Sequence, residues 1–136
     1  MNNKSKPIKT PHKSNASLKR IYIDGSGARP DGKGSAFAYC VEGSGEKNVE
    51  HCEGLTNNQA EYRAFLSAIT SIPARSRIEI LTDSQIVAYQ FNGRFKINEP
   101  PLYELLLTIR GVIHKKDLEV TVTWIRRQQN LAGKLL

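Results

Sequence analysis

No stretch of this 136-residue chain runs apolar for the roughly 20 residues a membrane-spanning helix needs, which argues against a membrane span. Cysteine is scarce. Cys40 and Cys52 are the only two, and their spacing matches no zinc or redox motif. They read as free thiols suited to a reducing, cytoplasmic setting. The N-terminus is basic but lacks an apolar core, which excludes a secretory signal. There is no internal repeat. Acid is missing from the first 20 residues, where Lys4, Lys6, Lys9, Lys13, Lys19 and Arg20 stand unopposed. That segment carries most of the net charge of +7. The rest is almost balanced. A basic arm on a near-neutral domain favours a polyanionic partner, held by counterion release; a solvated tail is the alternative.

Hydrophobic content of 39% and charged content of 24% fit one soluble globular domain. Residues 1–17 mix Lys, Asn, Ser and Pro without apolar periodicity and read as a basic disordered arm. Residues 18–136 form the domain. LKRIYID is a strand ending at Asp24, followed by the turn-rich GSGARPDGKG. SAFAYCVEG (35–43) and NVEHCEGL (48–55) complete an antiparallel meander. TNNQAEYRAFLSAITSIP is a helix, capped by Thr56 or Asn57 and stopped by Pro73. RIEILTD (77–83) has the short apolar character of a buried parallel strand. SQIVAYQFNG and PLYELLLTIRGVIHKK are helices, LEVTVTWI (118–125) is the fifth strand, and a last helix begins near Gln129. The order βββαβααβα predicts an α/β fold: a five-stranded mixed sheet, order 3-2-1-4-5, with helices covering its faces.

Three acids stand at informative places. Asp24 and Asp83 close two strands expected to be parallel neighbours, and Glu61 lies in the first turns of the helix packed on them. Each has an ordinary reading alone: Asp24 as half of an Asp-Gly turn, Glu61 as helix surface, Asp83 as an N-cap. Together they would repel unless a cation sat among them. Oxygen ligands without His or Cys suit Mg2+ or Mn2+. Two such ions about 4 Å apart form a clamp for in-line phosphoryl displacement.

YIDGSG, TNNQAEYRA and LTDSQIV resemble the leading motifs of type 1 ribonucleases H, over about residues 20–133. The resemblance implies a ribonuclease H-like fold and two-metal hydrolysis of the RNA strand of RNA/DNA hybrids, leaving 5′-phosphate and 3′-hydroxyl ends. It implies a monomer with Asp24, Glu61 and Asp83 as catalytic and metal-binding residues. It also implies substrate contacts from Gly25, Ser26, Asn57, Asn58, Gln59, Gln85 and Arg127, the amides reaching 2′-hydroxyls or base edges in the wide minor groove. The basic protrusion of longer bacterial members is missing, because only GRFKINEPP occupies its place.

The family closes with an Asp on its last helix, after a loop that often carries a His. Here Asn130-Leu131-Ala132-Gly133 follows Arg126, Arg127, Gln128 and Gln129, so both the Asp and the His are absent. Positions three apart share a helix face, which makes the amide oxygen of Asn130 the expected substitute ligand. Without a His, proton transfer would fall to Arg127 or Gln129. The competing expectation is an impaired protein that binds hybrid or double-stranded RNA without cutting it. A more distant one is an integrase- or resolvase-like nuclease acting on DNA.

Overall fold

The structure, a computed structural model, describes residues 16–31 and 33–136. The arm expected over 1–17 lies almost wholly outside the described residues. Strand β1 spans Leu18–Ser26, β2 Ser35–Val41 and β3 Lys47–Cys52. Helix α1 (Asn57–Ser71) leads to β4 (Arg77–Thr82), followed by α2 (Gln85–Phe91), α3 (Pro100–Lys115) and β5 (Glu119–Trp124). The sheet order is β3-β2-β1-β4-β5. The meander pairs antiparallel, and β4 lies parallel between β1 and β5, as expected of helical crossovers.

Strand alternation divides the sheet into two faces. Ile21, Ile23, Ile78, Ile80 and Val122 point one way and meet apolar residues of all three helices in one core. Tyr62, Phe65, Ala68 and Ile69 of α1 recur at helical spacing and are fully buried there. The opposite face departs from the expectation that helices cover both. Tyr22 and Leu81 there pack with Ala132 and, in part, with Cys40 and Ile125. No α-helix among the described residues joins that second cluster.

The chain end also differs. Two 3-10 turns, Arg127–Gln129 and Leu131–Leu135, stand where a helix from Gln129 was expected. The break falls at Asn130, whose backbone is extended and whose side-chain oxygen accepts from the Ala132 amide. Asn readily takes such local bonds in place of helical ones, and Gly133 weakens a helix further. The connection between α2 and α3 is short, as the sequence implies. It is fastened where Gln90 Nε2 donates to the Lys96 carbonyl while Gln90 Oε1 accepts from Tyr62.

Helix α1 has no basic residue in its own last turn. Lys116 supplies one from beyond α3: its ammonium donates to the carbonyls of Ile69, Thr70 and Ile72. These acceptors are the orphan carbonyls of the helix end, where positive charge is favourable. Lys116→Met keeps most of the aliphatic stem and removes the donors. It should lower stability by about 1–3 kcal/mol, read as a reduced urea midpoint at unchanged slope.

Candidate active site

The last parallel pair between β1 and β4 is Tyr22–Leu81. Asp24 and Asp83 each stand two residues further, so alternation sends both side chains to the face of Tyr22 and Leu81. Here the strands part company. β1 continues to Ser26 against β2, with Asp24 opposite Ala38, while β4 stops at Thr82. The two acids flank the opening thus made at the carboxyl ends of the parallel strands, where ligands bind in open α/β sheets.

Glu61 arrives from α1, and Gly25 is the reason it comes so close. A Cβ on Gly25 would lie 2.5 Å from the Glu61 amide nitrogen and 2.6 Å from the Ala60 carbonyl oxygen. Only a residue without a side chain lets β1 touch the helix backbone there. Carboxylate oxygens of Asp24, Glu61 and Asp83 consequently lie within 4.8 Å of one another.

Asp83 is free to face the cluster because its neighbour caps the helix. Ser84 Oγ accepts from the Val87 amide, so the N-cap role considered for Asp83 belongs to Ser84. The indole of Trp124 donates to the Asp83 carbonyl at 3.1 Å and ties β5 to this corner.

Glu61 is buried, and among the described residues its Oε1 finds no hydrogen-bond partner. Burial, then the charges of Asp24 and Asp83, push its pKa up to about 9 from an ordinary 4.5; the Gly25 N–H and Arg127 oppose the shift. Asp24 is pushed to about 6, by burial and then by Asp83. A buried, unpartnered carboxylate oxygen beside two more carboxylates is the donor set of a hard cation. The three residues fit Mg2+ or Mn2+.

The cluster opens into a cleft of about 660 Å³, lined by Asp24, Gly25, Ser26, Asn57, Glu61, Arg127, Gln128, Asn130, Gly133, Lys134 and Leu136. Gly25, Ser26, Asn57 and Arg127, four of the expected contact residues, thus line one cleft. Gln85 is exposed in the first turn of α2, and Asn58 is half-buried in the first turn of α1. Gln59 has a structural role that its expected substrate contact did not include. Its Oε1 accepts from the Thr56 amide while Thr56 Oγ1 accepts from the Gln59 amide, a closed capping box. Asn57 is not the cap; its Oδ1 accepts from Gly27 at 2.6 Å.

Asn130 corrects its expected role. It is buried, but its oxygen is committed to the Ala132 amide at 3.0 Å. Its nitrogen donates to the Ile23 carbonyl at 2.8 Å and to Asp83 Oδ2 at 3.3 Å. Turning the amide over would set the oxygen against two acceptors and the NH2 against a donor, so the network fixes its orientation. Asn130 faces the acids as a donor that positions Asp83, rather than as a ligand. Gly133 lies against Asp24: a Cβ there would be 3.0 Å from Asp24 Oδ2. Lys134, which the sequence reading does not single out, also lines the cleft. Sequence reasoning missed the close contact of Gly25 with helix α1, since Gly25 reads in the sequence as turn chemistry and a substrate contact.

A mixed 3-2-1-4-5 sheet with three acids at the parting of its central strands defines the ribonuclease H-like class. The family model described as reverse transcriptase-like matches residues 24–136, and the chain belongs to that family. Ribonuclease H of Polynucleobacter asymbioticus is 40% identical over 68 residues, covering 49% of this chain and 44% of that protein. Ribonuclease HI of Halobacterium salinarum is 29% identical over 114 residues, covering 80% of this chain and 57% of that protein. The chain thus spans about half the length of these relatives. Among solved structures, the Halobacterium salinarum RNase H1 superposes with a TM-score of 0.74 at 26% identity, covering 88% and 94% of the two chains. LC11-RNase H1, bound to an RNA/DNA hybrid, superposes with a TM-score of 0.72 at 24% identity, covering 86% and 92%.

Gly25→Ala should force β1 from α1. Its expected outcome is a drop in thermal midpoint together with much weaker Mn2+ binding, measured by calorimetry. The raised acids give a second expectation for the metal-free protein. A carboxyl whose folded pKa exceeds its unfolded value binds its proton more tightly when folded. Stability is then greatest below the unfolded pKa and falls as pH rises through the folded one. In EDTA the melting temperature should fall between pH 4.5 and pH 9, the ordinary and folded values of Glu61. Glu61→Gln should flatten that slope.

Proposed function

We propose that this chain is a metal-dependent endoribonuclease that hydrolyses the RNA strand of RNA/DNA hybrids, leaving 5′-phosphate and 3′-hydroxyl ends. The observation that carries this reading is the cluster of Asp24, Glu61 and Asp83, with its unpartnered buried oxygen, at the mouth of an open cleft. The names of its relatives and the hybrid bound by a protein of the same fold support the substrate. Asp24, Glu61 and Asp83 would hold Mg2+ or Mn2+, and Asn130 and Trp124 would keep Asp83 in place. A bound ion supplies activation of water and charge stabilisation at the phosphate.

In the net reaction the water oxygen bonds to phosphorus and the bond from phosphorus to the 3′-oxygen breaks. The water oxygen stays on the 5′-phosphate, and the 3′-oxygen leaves with a proton as a hydroxyl. Ser26, Asn57 and Arg127 border the space the RNA strand would occupy. The Asn57 oxygen accepts from Gly27, so its NH2 group is the part that would donate to a 2′-hydroxyl or base edge. The same reading makes the protein a cytoplasmic monomer, in keeping with its two unpaired cysteines.

Gly133 favours one other reading, an impaired hybrid or double-stranded RNA binder, because no carboxylate stands where the resemblance expects the closing Asp. A labelled hybrid with Mg2+ or Mn2+ separates the two. Cleavage of the RNA strand, abolished by EDTA and reduced at least about 100-fold in Glu61→Gln, is the expected result. Retained binding without cutting would establish the binder, and cutting of an all-DNA duplex would redirect the substrate. Removing residues 1–17 should weaken hybrid binding. It should also flatten the salt dependence, by about 0.9 in log–log slope for each phosphate that the arm neutralises.

A further inference from the structure

We infer that the carboxylate cluster takes one divalent ion, and that Arg127 and Lys134 supply, on the Gly133 side of Asp24, the positive charge a second ion would bring. This rests on the metal-dependent reading above and departs from the two ions that the family resemblance implies.

The donors on the two sides of Asp24 are unequal. On one side, Asp24, Glu61 and Asp83 offer oxygens within 4.8 Å of one another, and the buried Glu61 Oε1 has no other use among the described residues. The Gly133 side offers far less. The backbone of Gly133 closes on Asp24 Oδ2 without a side chain of its own. The amide oxygens that might serve instead are occupied: Asn130 Oδ1 by the Ala132 amide and Asn57 Oδ1 by the Gly27 amide. What Asn130 turns toward the acids is its NH2 group, a donor that cannot ligate a cation. Asp24 Oδ2 would be the sole carboxylate oxygen for a second ion there.

Two cationic residues border the same cleft. Arg127 and Lys134 both line the cleft, and the charge of Arg127 is felt at Asp24 and at Glu61. A divalent ion bound to one carboxylate beside a guanidinium would meet repulsion with little to offset it. The charges balance without it. Three carboxylates and one substrate phosphodiester carry four negative charges. One divalent ion, Arg127 and Lys134 carry four positive ones. A guanidinium is also well shaped to hold two phosphate oxygens.

The test counts Mn2+ by electron paramagnetic resonance on the full chain, alone and with a hybrid made uncleavable by 2′-fluoro groups in its RNA strand. One bound ion in both states is expected. A second ion in the hybrid complex would overturn the inference while leaving the metal-dependent reading intact. No bound ion at all would overturn both. Gly133→Asp should raise the count to two in the complex, and a count that stays at one would reject the assignment of that side. Arg127→Ala, which leaves the buried network untouched, tests the cation. Removing a repelling charge should tighten Mn2+ binding about threefold to tenfold while weakening hybrid binding. Unchanged Mn2+ affinity would show that Arg127 plays no such part.

Discussion

Three carboxylates drawn within 4.8 Å of one another, one of them buried, are the constraint around which this fold is arranged. Each pair costs on the order of 3 kcal/mol when ionised, at an effective dielectric near 20. That is a large part of the roughly 5–15 kcal/mol of net stability available to a domain. The acids cannot relax apart because each is fixed by its backbone. β1 and β4 are locked by their parallel pairing up to Tyr22 and Leu81. Gly25 holds α1 against β1, and Asn130 and Trp124 hold Asp83 from two other segments.

The two faces of the sheet divide the labour. One carries the apolar load, with α1, α2 and α3 contributing to a single core of buried side chains. That core offsets the cost of the acids and fixes the height of Glu61 on α1. The other face is only partly covered. There Tyr22, Leu81 and Ala132 form a small cluster that docks the last 3-10 turn beside Asp24. Site and chain end are thus coupled. Asn130 bonds to β1 through Ile23, to the end of β4 through Asp83, and to its own turn through Ala132.

Much of this was legible in the sequence, for identifiable reasons. Asp24 and Asp83 close strands whose apolar patterning fixes both boundary and neighbour, so their meeting follows from topology. Glu61 follows from helical spacing behind a capping residue. Gln59 did not, because TNNQ satisfies two readings at once: a row of amides facing a minor groove, or Thr56-x-x-Gln59 as a capping box. The pattern contains both, and the observed hydrogen bonds show the cap, which takes the oxygen of Gln59 and its backbone amide. Asn130 failed for a different reason. Placing it on one face with Gly133 assumed an α-helix, and the orientation of its amide depends on Ile23 and Asp83, 107 and 47 residues away in sequence. No local rule reaches that far. Gly25 illustrates the same limit, since a close backbone approach is a property of two segments and spacing within one cannot reveal it.

The glycine at position 133 therefore means more than a missing ligand. The Cβ of an aspartate there would lie 3.0 Å from Asp24 Oδ2, and its carboxylate would add a fourth charge to a cluster already pushed toward protonation. Without metal, that charge would raise the cost of folding; with metal, it would demand a second ion to balance it. Glycine removes both requirements and leaves Arg127, whose charge is felt at Asp24 and Glu61, lining the same cleft. Residues 127, 130 and 133 act as a set in this account. One brings positive charge, one orients Asp83 through a donor, and one withholds a side chain. Taken together they describe a site rebalanced around fewer negative charges, which differs physically from a four-acid site that has simply lost one.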